Sequence, residues 1–266
     1  MTRTFHKMHG LGNDFAIFDA RKEPLAMSEP LARALADRRT GIGCDQLILL
    51  EPADVAELRM RIWNRDGGEV ESCGNASRCV VALTGATSIE TDGGVIGGAT
   101  EGSEVEVTIG EPRFGWEQVP LAYAMDTAAL PMGWGGLEKP MALSVGNPHL
   151  VFFVDDGDAI PLKGLGPLIE NDPAFPERIN VNIAQMVGDS IRLRTWERGA
   201  GLTAACGTGA CATAVAAIAS KRAQSPVTVI MPVGSLTIAW QPGGPISMRG
   251  TASHVFTGEI DLEALA

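Results

Sequence analysis

The sequence predicts a mixed α/β protein of the α+β class with two pseudo-symmetric domains, each a mostly antiparallel sheet or barrel wrapped around a central buried helix. Three observations lead there. The chain repeats itself at half its length, most of its segments have strand composition, and two of its helical segments are largely apolar all round.

The repeat carries most weight. Arg59-Met60-Arg61-Ile62-Trp63-Asn64-Arg65 aligns with Arg192-Leu193-Arg194-Thr195-Trp196-Glu197-Arg198, an offset of 133 positions. The same offset brings Gly68 onto Gly201, Cys73 onto Cys206 and Gly74 onto Gly207 without a gap. Upstream, Gly12-Asn13 with Phe15, Ile17, Phe18 and Asp19 matches Gly146-Asn147 with Leu150 through Asp155, at an offset of 134. Coincident glycines and arginines do not explain tryptophans and cysteines in one register. A length of 266 residues holds two units of ordinary domain size. The expected division is 1–114, carrying Cys73, and 115–266, carrying Cys206. Ligand sites favour domain junctions, so the two cysteines are expected to face each other across a cleft.

Strands are expected at Ala16–Phe18, Leu47–Leu50, Leu58–Trp63, Val105–Ile109, Leu150–Val154, Ile191–Trp196, Val227–Met231 and Leu236–Trp240, where β-branched and aromatic residues concentrate. Gly93-Gly94 and Pro242-Gly243-Gly244-Pro245 punctuate them. Three helices are expected. The first starts at Ser28-Glu29-Pro30, a cap followed by proline in the first turn, and runs to about Arg38–Gly41. The second follows Cys73-Gly74-Asn75 and stops near Gly85. The third follows Cys206-Gly207-Thr208 and ends on Lys221-Arg222. The last two carry few charges on any face, which marks buried helices.

Composition bounds the function classes. The chain is 45% hydrophobic and 20% charged with a net charge of −11, a globular balance whose field repels phosphate backbones, so no nucleic-acid partner is expected. The N-terminus lacks an apolar signal core, and the best apolar run, Ala212–Ala219, is far below the roughly 20 residues a membrane span needs. A cytoplasmic protein without membrane contact is expected. Five cysteines, Cys44, Cys73, Cys79, Cys206 and Cys211, are an odd number without an export signal, which argues against a disulfide framework. Their spacing, with no paired histidines, also suits zinc poorly, so no metal is expected.

Cys73 and Cys206 stand apart because each lies in the repeat, precedes glycine and opens a helix. Asn75 and Thr208 are good N-cap types, and the unpaired N–H groups of a helix start make an anion site. The same field is expected to stabilise a thiolate and lower the cysteine pKa. Inverting a carbon α to a carboxylate requires a base on one face and an acid on the other, and two thiols supply both. The enolate charge that develops would fall on a carboxylate held by the helix N–H groups. Cys44, Cys79 and Cys211 read as inert core thiols.

Across nearly its whole length the chain resembles the diaminopimelate epimerases. The matching segments are Met8–Phe15, Gly41–Gln46, Asn64–Cys79, Gly146–His149, Arg178–Val181 and Trp196–Cys211. The resemblance implies interconversion of LL- and meso-2,6-diaminopimelate in lysine and peptidoglycan precursor biosynthesis. It also implies no cofactor, a small-molecule substrate, a homodimer, and a tail of about 253–266 returning to the first domain. It assigns Cys73 and Cys206 as the acid–base pair. Substrate-binding roles fall on Asn13, Gln46, Asn64, Gly74, Asn75, Asn147, Asn180, Glu197, Arg198, Gly207 and Thr208, and tuning of the thiols on His149 and Glu197. Chemically, Arg198 offers a fork for a carboxylate, and Glu197 and the amide oxygens accept from ammonium groups.

Ala76, Leu202 and Thr251 depart from the family's usual residues. The rival of the same fold is a proline-type racemase or another cofactor-independent isomerase. The rivals of other classes are a thiol redox or metal-binding protein and a non-catalytic binding protein. Asn13 and Asn147 also suit turns after glycine, Gln46 suits an ordinary polar residue at a strand start, Arg65 a surface charge, and His149 a structural loop.

Overall fold

The computed structural model describes residues 1–71 and 73–265, and the chain folds as two compact units. The first comprises Met1–Thr108 and Arg249–Ala266, the second Ile109–Met248. The strand Ile246–Thr251 carries the chain from the second unit back into the first.

In the first unit, Thr2–Gly10 pairs antiparallel with both Asn13–Asp19 and the tail strand Ser253–Asp261. Asn13–Asp19 runs parallel to Gln46–Glu51, which pairs antiparallel with Leu58–Asn64. Leu58–Asn64 then pairs with the short Glu69–Val70 and, in parallel, with Ser88–Thr91. Gly94–Glu101 and Glu104–Ile109 complete the run as antiparallel neighbours.

The second unit repeats this order. Met141–Ser144 pairs antiparallel with Pro148–Phe153, which runs parallel to Asn180–Val187. Asn180–Val187 pairs antiparallel with Ser190–Glu197, and that strand pairs with Gly201–Thr203 and, in parallel, with Val227–Met231. Gly234–Ala239 follows as an antiparallel neighbour. The register also repeats: Phe15 lies opposite Gln46 as His149 lies opposite Asn180, and Ile48 opposite Ile62 as Asn182 opposite Thr195. Every predicted strand has a counterpart.

Four helices occur among the described residues: α1 (Glu29–Ala36), α2 (Gly74–Thr84), α3 (Leu162–Glu170) and α4 (Gly207–Ala219). Ser28 caps α1 by accepting from the Leu31 N–H at 3.4 Å. α1 stops at Ala36, before the expected Arg38–Gly41. The reason is local: the Ile42 and Gly43 N–H groups fold back onto the Leu35 carbonyl, and Asp37 gathers the Arg39 and Thr40 N–H groups.

Helix α4 packs against strands from Met141–Ser144 through Gly234–Ala239, and its residues from Gly209 to Ala217 are buried. Its small alanines let the sheet close around it. α2 plays the same part in the first unit, against Thr2–Gly10, Asn13–Asp19 and Gly94–Glu101. It departs from the apolar expectation at Arg78, which is fully buried.

Sequence reading missed α3, because Pro161, Gly164, Gly166 and Pro167 read as breakers. Packing overrides them. Leu162 and Ile169 sink into a core with Leu150, Phe152, Phe175 and Ile183. A Cβ on Gly166 would lie 2.6 Å from Trp196 Cγ, so only glycine admits the ring this closely.

Candidate active site

Each repeat-related cysteine sits at the N-cap of its unit's buried helix, Cys73 before α2 and Cys206 before α4. Asn75 and Thr208, expected as caps, are instead the second helical residues. Their backbone N–H groups lie in the first turn, where no carbonyl of the same helix reaches them.

In the first unit, Asn13 links the parts around Cys73. Its Nδ2 donates to Asp45 at 3.3 Å, and because a carboxylate only accepts, this fixes the amide orientation. Its Oδ1 then accepts from the Cys73 thiol at 3.9 Å and from Asn75 Nδ2 at 3.4 Å. Buried Arg78 holds Asn75 through Oδ1 at 2.7 Å. Behind Asn13, burial opposes ionisation of Asp14, but Arg38 and Lys7 hold its carboxyl well below the usual carboxylate range. Gln46 and Asn64 are cross-strand partners, with Gln46 Nε2 donating to Asn64 Oδ1 at 2.9 Å. Among the described residues, Gln46 Oε1 is buried and has no hydrogen-bond partner.

In the second unit, Cys206 is 4% exposed. Its sulfur accepts from the Gly209 N–H at 3.3 Å and lies 3.5 Å from Thr208 Oγ1, with the Glu197 carboxyl also in hydrogen-bonding reach. Asn147 Nδ2 donates to Thr208 Oγ1 at 3.3 Å, and His149 Nε2 sits 2.9 Å from Asn147 Oδ1. Thr203 donates to Glu197 at 2.5 Å. Asn180 is buried and serves the backbone: it donates to the Pro148 carbonyl at 2.8 Å and accepts from the Arg198 N–H at 2.9 Å. Arg198 reaches the Glu177 carbonyl at 2.9 Å. Glu170 of α3 accepts from Trp196 Nε1 at 2.7 Å and the Gly199 N–H at 2.8 Å, tying down the loop that carries Glu197 and Arg198.

Residues 5–115 and 141–255 match the family described as diaminopimelate epimerase, so the match covers both halves of the repeat and both cysteine-capped helices. The chain belongs to the diaminopimelate epimerase family. The diaminopimelate epimerase of Rhizorhabdus wittichii is 62% identical over 98% of this chain and 96% of its own length. That of Zymomonas mobilis subsp. mobilis is 51% identical, covering 98% of both chains. Among solved structures, a hydroxyproline epimerase from Agrobacterium vitis superposes with a TM-score of 0.69 at 17% identity, covering 97% of this chain and 91% of its own. A probable proline racemase from Agrobacterium radiobacter gives 0.71 at 16%, covering 98% and 93%. At such low identity these two structures establish a shared fold alone.

One physical expectation for this epimerase-family chain is corrected. The helix start was expected to lower the cysteine pKa, yet Cys206 is pushed well above the usual thiol value. Burial is the largest cause and the nearby Glu197 charge adds to it, while the Thr208 hydroxyl and Gly209 N–H oppose them without prevailing. Burial likewise raises the Glu197 carboxyl, against Thr203 and Cys206, which lower it. His149 is pushed down to about 3, by burial first and by Arg198 second, so it is neutral across the physiological range. The other thiols behave as core groups: burial raises Cys44 to about 11 and Cys79 to about 12, and Cys211 is fully buried.

The family departures sit quietly. Ala76 lies inside α2 with an ordinary backbone, and Leu202 is exposed on Gly201–Thr203. The Thr251 carbonyl lies 3.5 Å from Arg78 Nε. Asp45, Arg78, Glu170, Asn182 and Thr195 are supporting residues that sequence reading missed. Arg78 had a visible signal, a charge within an otherwise apolar helix. The others had none, because their roles depend on pairing across strands or with a distant helix.

Proposed function

We propose that this chain interconverts LL- and meso-2,6-diaminopimelate through a two-base mechanism in which Cys73 and Cys206 act on opposite faces of the α-carbon. The observation that supports this most is the family match over both halves, joined to a cysteine at the N-cap of each half's buried helix.

One thiol, as thiolate, takes the α-proton, and the other delivers a proton to the opposite face. The roles exchange with substrate configuration. The first-turn N–H groups at Gly74-Asn75 and Gly207-Thr208 receive the reacting carboxylate, whose charge grows as the enolate forms. Asn13, Gln46, Asn64, Asn147, Asn180, Glu197 and Arg198 bind the remaining ammonium and carboxylate groups. Gln46 Oε1, which lacks a partner among the described residues, supports an ammonium contact. His149 and Glu197 condition the thiols. The chemistry needs neither pyridoxal phosphate nor a metal. A homodimer in the cytoplasm is part of the same reading; among the described residues no helix is long and apolar enough to cross a membrane.

The test is solvent-deuterium incorporation at the α-carbon during epimerisation. Cys73→Ser and Cys206→Ser should each abolish most of it, and activity should survive dialysis against a chelator. Unchanged epimerisation in either variant sinks the two-base mechanism. Turnover of proline or hydroxyproline in place of diaminopimelate favours the proline-racemase reading, which the shared fold keeps open.

A further inference from the structure

We propose that Asn182, held by Thr195, is a positioning residue that sets the direction of a hydrogen-bond relay running through His149 and Asn147 to the Thr208 hydroxyl beside Cys206. Its place in the reaction rests on the role given to Cys206 above.

The direction of each link follows from the one before. Asn182, the third residue of Asn180–Val187, is fully buried. Its Nδ2 donates to the Leu150 carbonyl at 2.9 Å, and its Oδ1 accepts from Thr195 Oγ1 at 3.1 Å. A carbonyl only accepts, so the amide cannot be reversed. The second Nδ2 hydrogen meets His149 Nδ1 at 3.1 Å, which makes Nδ1 the unprotonated nitrogen. The imidazole is neutral, so its proton sits on Nε2 and is donated to Asn147 Oδ1 at 2.9 Å. That turns Asn147 Nδ2 toward Thr208 Oγ1 at 3.3 Å. With Asn147 donating to one of its lone pairs, the Thr208 hydroxyl keeps its own hydrogen to place on the Cys206 sulfur at 3.5 Å, the direction the relay assigns to this contact. An acceptor at position 182 would keep the Thr195 contact, lose the bond to the Leu150 carbonyl, and reverse the links through His149 and Asn147, aiming the Thr208 proton at Asn147 instead. The thiolate would then lose a donor.

The bland alternative is a polar pair that merely ties two strands together. The first unit argues against it. The positions equivalent to Asn182, Thr195 and His149 are Ile48, Ile62 and Phe15, all fully buried. Ile48 and Ile62 occupy the same cross-strand register as Asn182 and Thr195. The strand pair therefore folds with an apolar layer, and the three polar residues occur together in one half only. They also lie directly under the first turn of α4: a Cβ on Gly209 would come 2.7 Å from Asn182 Oδ1 and 3.0 Å from Thr195 Oγ1. Gly209 is the residue whose N–H donates to Cys206.

Three measurements on the full chain test the relay. Nitrogen-15 NMR of the imidazoles reads the His149 tautomer. Iodoacetamide alkylation against pH, followed on the Cys206 peptide by mass spectrometry, reads the thiolate, with Glu197 as the charge acting on Cys206 and Arg198 as the one acting on His149. Steady-state kinetics separates kcat from KM. Wild type should carry the proton on Nε2. Asn182→Asp should move it to Nδ1, lower Cys206 alkylation about tenfold, and lower kcat similarly with KM little changed. Adding Thr208→Val to Asn182→Asp should cost little more. If Asn182→Asp does not fold, the triple variant His149→Phe, Asn182→Ile, Thr195→Ile, which copies the first unit's layer, should fold and show the same loss of alkylation. A wild-type proton on Nδ1, or alkylation unchanged in whichever variant folds, overturns the relay. The tautomer and alkylation are read without turnover. A relay that switches in a protein inactive on diaminopimelate would therefore condemn the proposed reaction and leave the relay standing.

Discussion

Replacing Thr208 by valine removes one hydroxyl and keeps the side-chain shape and the backbone N–H. That hydroxyl lies 3.5 Å from the Cys206 sulfur and accepts from Asn147 at 3.3 Å. Cys206 is already held as a thiol by burial and by Glu197, so each remaining donor counts toward the thiolate. A hydrogen bond to a charged group contributes about 1.5–3 kcal/mol, and the long separation places this one at the lower end. About 1.5 kcal/mol corresponds to roughly a tenfold loss of thiolate at a given pH and a similar loss in kcat. KM should change little, because the first-turn N–H that meets the carboxylate remains. The assay is solvent-deuterium incorporation at saturating substrate, run beside pH-dependent alkylation of Cys206. Thr208→Ser should retain most of the activity. A valine variant with wild-type alkylation and kcat would refute the assignment of the hydroxyl as a donor to sulfur.

Gly166→Ala should destabilise the protein by about 1–3 kcal/mol in urea titration, because its Cβ would collide with the Trp196 ring; an unchanged midpoint refutes the packing argument. Gln46→Leu should raise KM by removing a ligand acceptor and should also cost some stability, because Asn64 Oδ1 loses the Gln46 Nε2 donor at 2.9 Å; an unchanged KM removes Gln46 from the binding set. His149 gives a pH dependence of definite sign. Its pKa falls from 6.5 in the unfolded chain to about 3 in the folded one, so its contribution to stability is full above 6.5 and is lost as pH falls toward 3. Denaturant midpoints of His149→Phe should fall less steeply over that range than those of wild type, and parallel curves would contradict the buried neutral imidazole.

The sequence was legible where local chemistry and repetition act alone. Strand composition located the sheets, and the 133-residue offset exposed two similar halves. The Ser28 cap was read correctly, while α2 and α4 were located but begin two residues earlier than expected, with the cysteines themselves as N-caps. It failed at α3, where four breakers are overridden by burial of Leu162 and Ile169 and by contact with Trp196. It also failed on the ionisation of Cys206. A helix start is visible in the letters Cys-Gly-Thr, but the depth at which it is buried is not, and burial has the stronger effect on the thiol.

The class, the repeat, the cysteine pair and the family are all written in the order of the residues. The direction in which the amides point is not, and it was settled by tertiary contacts. Asn13 presents an oxygen to Cys73 because Asp45 holds its nitrogen, and Asn147 presents a nitrogen to Thr208 because His149 holds its oxygen. The two asparagines are the same letter at equivalent places in the repeat. Their polarity is set by partners that come into reach only through strand register, which no local pattern records.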